Sequence, residues 1–201
     1  MNKKKSYIQN REVDDKTILD KFAEDFCKIV EEHCKYIVCS GFVAIAHGRT
    51  RGTEDIDMII EKIDKEKFIE LHCALLDKNF DCIQSSDAEE VFDLYLSQGE
   101  SVRYVWKSDS FAPPEMEIKF AKDEIDNEQL SERVKFPLTK LDIFFSSIEA
   151  NIAFKEELLK SDKDIEDAKH LRIIYEGEFN EDKIIYFKNK IKKIRLGLNE
   201  K

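Results

Sequence analysis

The sequence predicts an α/β (α+β) fold: a mixed sheet flanked by helices, followed by a C-terminal helical part. Three observations predict it. Residues 36–76 alternate short apolar runs with amphipathic stretches in the order strand, helix, strand, helix. Glu115-Met116-Glu117-Ile118-Lys119-Phe120 alternates cleanly and reads as a further strand. After about residue 140 the pattern turns helical.

The elements follow in order. A helix is expected from about Lys16 to Cys34, because Ile18, Phe22, Phe26 and Val30 recur four apart on one face. Tyr36 to Cys39 reads as a short buried strand. Gly41 breaks the chain into a short helix, Phe42 to His47, and Gly48 to Thr53 is a basic loop. Asp55 to Glu61 is the next strand, and an amphipathic helix spans about Lys65 to Leu76. Between Asp81 and Trp106 a short strand, a helix near Ala88 to Leu96 and a strand around Val102 to Trp106 are expected. Pro113-Pro114 stops any regular element. Ser146 with Glu149 fits a capping box opening a helix to about Lys160. A helix from Asp162 to Glu176 ends at Gly177, and a last one covers about Glu181 to Leu196. The expected organisation is a leader over residues 1–14, an α/β core over 15–140 and a helical part over 141–201 packed on it.

The chain of 201 residues, 42% apolar and 38% charged, has the composition of a soluble globular protein with a substantial core. No run of 18 apolar residues exists, and the basic N-terminus lacks an apolar signal core, so a cytoplasmic protein with no membrane partner is expected. The net charge of −10 argues against broad binding to nucleic acid and leaves room for one local basic patch. The five cysteines form no CxxC pair and sit mostly among apolar neighbours, as buried reduced thiols do.

Asp55 and Asp57 stand two apart, so on a strand both carboxylates project from one face while Ile56, Met58 and Ile60 pack on the other. Upstream lie a small Ser40-Gly41 turn and the basic Arg49-Thr50-Arg51. Paired oxygens beside a phosphate-friendly turn suit a divalent metal and a nucleoside triphosphate. Acids on a buried strand are costly unless they meet a cation. A third carboxylate on a neighbouring strand would complete an oxygen cage for two Mg²⁺ ions. Glu117 is the candidate, Glu115 the rival, and a solvated strand acid the ordinary alternative. Ile148, Ile152, Lys155 and Leu159 form one helical stripe, and a lysine in an apolar stripe needs an anionic partner or a route to water. Asp164 and Asp167 share one side of the next helix. They could bridge Lys155 or bind ribose or base.

The Ser40-Gly41 turn, the short helix, the run Arg51-x-Thr53-x-Asp55-x-Asp57 and the later strand acid together resemble the nucleotidyltransferase superfamily related to DNA polymerase β. They are most similar to the small prokaryotic members grouped with AbiEii-type toxins of toxin–antitoxin and phage-abortive systems. Ile152-Ala153-Phe154-Lys155 and Lys163-Asp164-Ile165-Glu166-Asp167-Ala168 are similar to that family's lysine and Lys-Asp-x-x-Asp segment. The matched segments bracket about residues 36 to 175.

The resemblance implies a nucleotidyltransferase-fold sheet and a set of roles. Ser40 and the backbone of Gly41 would hold phosphate oxygens. Asp55 and Asp57 would ligate both Mg²⁺ ions, with Mn²⁺ as a substitute, and Glu117 would ligate one and help deprotonate the attacking hydroxyl. The family often has Asp at that third position. Arg49 or Arg51 could contact triphosphate, because a guanidinium fork suits phosphate oxygens; the ordinary alternative is a solvated loop charge. Thr53, Lys155, Asp164 and Asp167 would belong to the nucleotide site. The implied reaction transfers a nucleoside monophosphate from an NTP, ATP favoured, to an acceptor hydroxyl. A tRNA 3′ end, a protein hydroxyl on a cognate antitoxin and a small molecule are all compatible acceptors. A catalytically inactive nucleotide-binding or regulatory module of the same fold is the alternative.

Two lesser features complete the reading. His47 could touch nucleotide, or serve as a helix-end residue favoured by the dipole. The last helix carries Lys183, Lys188, Lys190, Lys192, Lys193 and Arg195, with Ile184, Phe187, Ile191 and Ile194 opposite. That basic face is either solvated surface or a contact for RNA backbone.

Overall fold

The computed structural model describes residues 16–53, 55–107 and 114–198. The expected leader, residues 1–14, and Pro113 lie outside the described residues. The elements run α1 (Ile18–Glu31), β1 (Tyr36–Cys39), α2 (Gly41–Ala46), β2 (Asp55–Ile60), α3 (Lys65–Asp77), β3 (Phe80–Cys82), α4 (Ala88–Leu94), β4 (Val102–Trp106) and β5 (Glu115–Phe120). The helices α5 (Glu124–Ser131), α6 (Ile148–Phe154), α7 (Asp162–Ile174) and α8 (Glu181–Ile194) follow.

The strands form one mixed sheet in the order β1-β2-β5-β4-β3. β2 and β5 are parallel, and the other neighbours are antiparallel. The register sorts the two faces, because side chains at paired positions share a side. Val38, Met58, Ile118 and Val102 line up across one face, as do Ile56, Met116 and Tyr104. Helices α1 and α3 bury Phe22, Phe26, Phe68 and Leu71 in the core on that face. Phe26 meets Phe80 edge-on, with centroids 5.0 Å apart. Each such side chain contributes roughly 1.5–3 kcal/mol by leaving water. Thr17 fixes the start of α1 through a reciprocal cap with Asp20.

The opposite face is mixed. Cys39, Asp57, Glu117 and Arg103 form one row, and Ile37, Ile59 and Lys119 the next. A small cluster of Ile37, Ile59, Ala121 and Leu130 covers only part of it. Sequence periodicity does not single out α5, which supplies Leu130. Its segment Glu124–Ser131 is mostly polar and acidic, and it is held by Asp123, which accepts from the backbone N–H groups of Ile125 and Asp126.

The helical part is sewn to the free side of β1. The Val38 N–H donates to Phe144 O at 2.8 Å, and the Ser146 N–H donates to Val38 O at 3.1 Å. The cap of α6 lies one residue later than the spacing predicts. Ser147 accepts from the Ala150 N–H, whereas Ser146 is buried and donates to Gln129. The expected stripe also breaks. Lys155–Leu159 continues α6 as a π-helical turn, which adds a residue to the turn. Ile148, Ile152 and Lys155 stay buried, but Leu159 emerges to solvent.

His47 joins α2 to α7. Its Nδ1–H donates to Val43 O at 2.6 Å, so Nε2 accepts from the Tyr175 hydroxyl at 2.7 Å. Burial pushes its pKa down to about 4, with nearby His170 adding to the effect. His47 is therefore a neutral buried ring, not the charged helix end that a dipole would favour. An unfolded histidine takes up a proton near pH 6.5, while folded His47 resists until about pH 4. Its contribution is present above pH 6.5 and lost as pH falls towards 4. We expect roughly 3 kcal/mol of acid destabilisation across that window. Chemical denaturation of His47→Gln against pH checks it; an unchanged slope would reject it.

Candidate active site

β1 delivers Cys39 to the sheet's mixed face, and the chain then turns sharply at Ser40, which has φ 65°. A non-glycine residue there is strained, a cost of about 1–3 kcal/mol that persists where the surroundings enforce it. The turn places the Ser40 side chain close enough to Asp57 to favour its carboxylate. A side chain at Gly41 would meet Arg51, because its Cβ would fall 3.1 Å from Arg51 Nη2. The guanidinium of Arg51 therefore lies over the turn.

The parallel register sets Glu117 beside Asp57 and Glu115 beside Asp55, all on one face. Burial raises the Asp57 carboxyl pKa, and Glu117 and Asp55 raise it further; Lys119 and Ser40 oppose them. Lys119 Nζ lies 3.7 Å from Asp57 Oδ1. Arg103 Nη2 lies 3.1 Å from Glu117 Oε2, and Arg103 Nε lies 3.9 Å from Glu115. Asp55 is exposed at the strand end, where the Thr53 hydroxyl donates to its backbone carbonyl at 3.0 Å.

The donor chemistry suits a hard divalent ion: carboxylate and hydroxyl oxygens, with crowded like charges that a cation would relieve. Among the described residues, however, no three acid, histidine or cysteine side chains are gathered closely enough to hold a metal ion. Arg103 and Lys119 instead lean on Glu117 and Asp57.

Beside this row lies a second cluster. Asp167, fully buried, is shared by three cations: Lys155 Nζ at 2.8 Å, Arg49 Nε at 2.7 Å, and Arg51 Nη1. Asp164 stands 3.6 Å from Lys155, and the exposed Glu166 takes Arg49 Nη2 at 2.7 Å. Arg49 and Arg51, expected near triphosphate, are thus held by α7, and the Lys–Asp bridge between helices exists. Lys155 is 1% exposed and begins the π-helical turn.

A cavity of about 560 Å³ separates the mixed face from the C-terminal helices. Ser40 and Lys119 sit at its junction with the acid row, and Lys155 lines its helical side. Lys119 could have been read from the sequence, since it lies two residues beyond Glu117 and so shares its face. Arg103, on β4, and Gln129, on α5, depend on pairings that no local pattern announces.

The basic face of α8 is largely neutralised. Lys183 pairs with Glu132, Lys188 with Glu156, Lys190 with Glu128, Lys192 with Glu157, and Arg195 with Asp123 and Asp126. Cys27 and Cys34 are buried thiols, Cys39 and Cys82 are half-buried, and Cys73 is exposed.

No family model matches the chain, and no curated protein does. Among solved structures, the chain is similar to an antigenic nucleotidyltransferase-like protein from Paracoccidioides brasiliensis. The TM-score is 0.50 and the identity 14%, over 90% of this chain and 89% of that one. At that identity the likeness speaks for the fold. The chain has the mixed α/β architecture of a nucleotidyltransferase-like protein.

Proposed function

We propose that the protein is a metal-dependent nucleotidyltransferase. It moves a nucleoside monophosphate from a nucleoside triphosphate, ATP favoured, to an acceptor hydroxyl and releases pyrophosphate. The observation that carries this reading is the register that aligns Asp55 and Asp57 with Glu117 on one face. None of the three lines the cavity, but Asp57 reaches Lys119, which does, at 3.7 Å.

In this reading Asp55, Asp57 and Glu117 would hold Mg²⁺, as two ions with Mn²⁺ able to substitute, once Arg103 releases Glu117, Lys119 releases Asp57 and the three carboxylates draw together. The bound metal supplies activation of the attacking oxygen and offsets charge on the leaving pyrophosphate. The Glu117 carboxylate accepts the acceptor hydroxyl's proton as the new O–P bond forms and the bond to pyrophosphate breaks. Ser40 and the Gly41 backbone hold phosphate oxygens. Arg51, above Gly41, and Lys155 place positive charge beside them without moving, since Asp167 already fixes both.

The acceptor is a tRNA 3′ end or a protein hydroxyl, including one on a cognate antitoxin, in line with the AbiEii-type resemblance and a cytoplasmic toxin role. The paired cations of α8 supply no case for RNA. No helix among the described residues is long and apolar enough to cross a membrane.

A second reading is favoured by the Arg103–Glu117 ion pair: a nucleotide-binding module without catalysis. Incubation with labelled triphosphates, Mg²⁺ and cell extract separates the two. Label transfer that Asp57→Asn abolishes supports the enzyme; nucleotide binding without transfer supports the module. Absence of binding for all four ribonucleotides rejects both.

A further inference from the structure

The cavity between the sheet and the helices has a mixed lining. Lys62, Lys119 and Lys122 contribute to it, together with Arg195 and one carboxylate, Asp126. Of the three lysines, only Lys119 has a carboxylate within ion-pair distance among the described residues. In a chain of net charge −10, lysines gathered around one opening attract an anion. Its apolar surface comes from Phe92, which packs against Phe120, and from Phe154 and Leu158 on the helical side, next to Lys155.

Two nearly buried amides also line the cavity. Asn151, 4% exposed, donates both Nδ2 hydrogens, to Ser146 O at 3.0 Å and Ser147 O at 2.9 Å. Two carbonyl partners fix its orientation and leave Oδ1 as an acceptor. Gln129, also 4% exposed, spends Oε1 on the Ser146 hydroxyl at 2.6 Å, which leaves the Nε2 hydrogens to donate. Neither spare group has a protein partner among the described residues, and neither is sealed from the cavity. A polar group in so dry a setting is costly unless water or a ligand completes it.

A purely apolar ligand would strand the amides and the lysines. A bare phosphate would leave the apolar surface of Phe92, Phe154 and Leu158 wet. The space, about 560 Å³, falls within the roughly 300–1,000 Å³ typical of small-molecule sites. A flat heterocycle bearing one donor and one acceptor, attached to a phosphate chain, suits the apolar surface, the amides and the lysines together. We infer that this cavity seats the nucleobase of the nucleotide, with Gln129 Nε2 and Asn151 Oδ1 meeting its polar edge and Phe154 packing against it. The phosphate chain then runs past Lys119 to Ser40 and Asp57. This assignment rests on the nucleotidyl-transfer reading and adds to it the residues that set base preference.

The test is calorimetry on the full chain with Mg²⁺ and each of ATP, GTP, CTP and UTP, with tripolyphosphate as a ligand that has no base. Leu158→Trp fills the space beside Phe154, and Gln129→Leu removes the donor. Leu158→Trp should weaken the preferred NTP at least about tenfold while tripolyphosphate stays within about twofold. Gln129→Leu should change the preference among the four bases by about tenfold, as deletion of a base-reading hydrogen bond does. Thermal melts confirm that each variant folds; if Leu158→Trp does not, Gln129→Leu decides. If NTPs bind the wild type and both variants alike, the base lies elsewhere: the inference falls and the proposed function stands. If no nucleotide binds the wild type, both fall.

Discussion

Asp57→Asn is expected to raise the metal-free melting temperature at neutral pH while reducing nucleotidyl transfer by about 10³-fold or more. The two effects share one cause. Burial holds the Asp57 carboxyl above its ordinary pKa, and Glu117 and Asp55 add to the shift. A carboxyl whose folded pKa is raised favours folding while protonated. It becomes a liability as pH climbs past the unfolded value of 3.8 and through the folded one. Once pH exceeds the folded value the chain carries that liability in full, and the neutral amide removes it. Mg²⁺ should reverse the ranking, because an ion bound at ten times its Kd stabilises the native state by about 1.4 kcal/mol. The variant should show no such gain. Arg103→Gln should act in the opposite sense: Glu117 loses its cation, so the Mg²⁺-dependent shift grows beyond that of the wild type. Melting curves with and without Mg²⁺ read all three proteins. A wild type that ignores Mg²⁺ would remove the metal from the proposal.

The second large effect is expected at Asp167. Asp167→Asn leaves Lys155, Arg49 and Arg51 without the charge that all three share. Breaking a buried ion pair from one side typically costs about 3–5 kcal/mol, because the orphaned charge stays out of water. Lys155→Met should cost much less stability, since Asp167 keeps both arginines, yet it should still abolish transfer. Urea unfolding measures the pair of variants, with a shifted midpoint at constant slope. A loss below about 1 kcal/mol for Asp167→Asn would show that Asp164 and Glu166 suffice as counter-charges.

The alternations in β2 and β5 made the strands and their acids legible, because a period of two is written locally. The Ser40-Gly41 turn and the run from Arg51 to Asp57 were equally local. What the sequence could not display was the meeting of distant charges. Arg49 and Arg51 carry the same basic signature whether they serve a phosphate or a buried aspartate more than a hundred residues later. The α8 lysines, open in the sequence between solvated surface and RNA contact, show the same limit: their acids come mostly from α5, the chain just beyond it and the π-helical turn. The capping shift from Ser146 to Ser147 is finer still. Two adjacent serines offer equal local caps, and Gln129 claims the first from across the fold.

The segment that runs from Phe144 to Ser146 beside Val38 has a further consequence. It occupies the outer rim of β1, so no foreign peptide can extend the sheet there. The opposite rim, β3, offers only three residues, with the charged Asp81 at their centre. Both margins thus resist strand-to-strand polymerisation, one by cover and one by brevity.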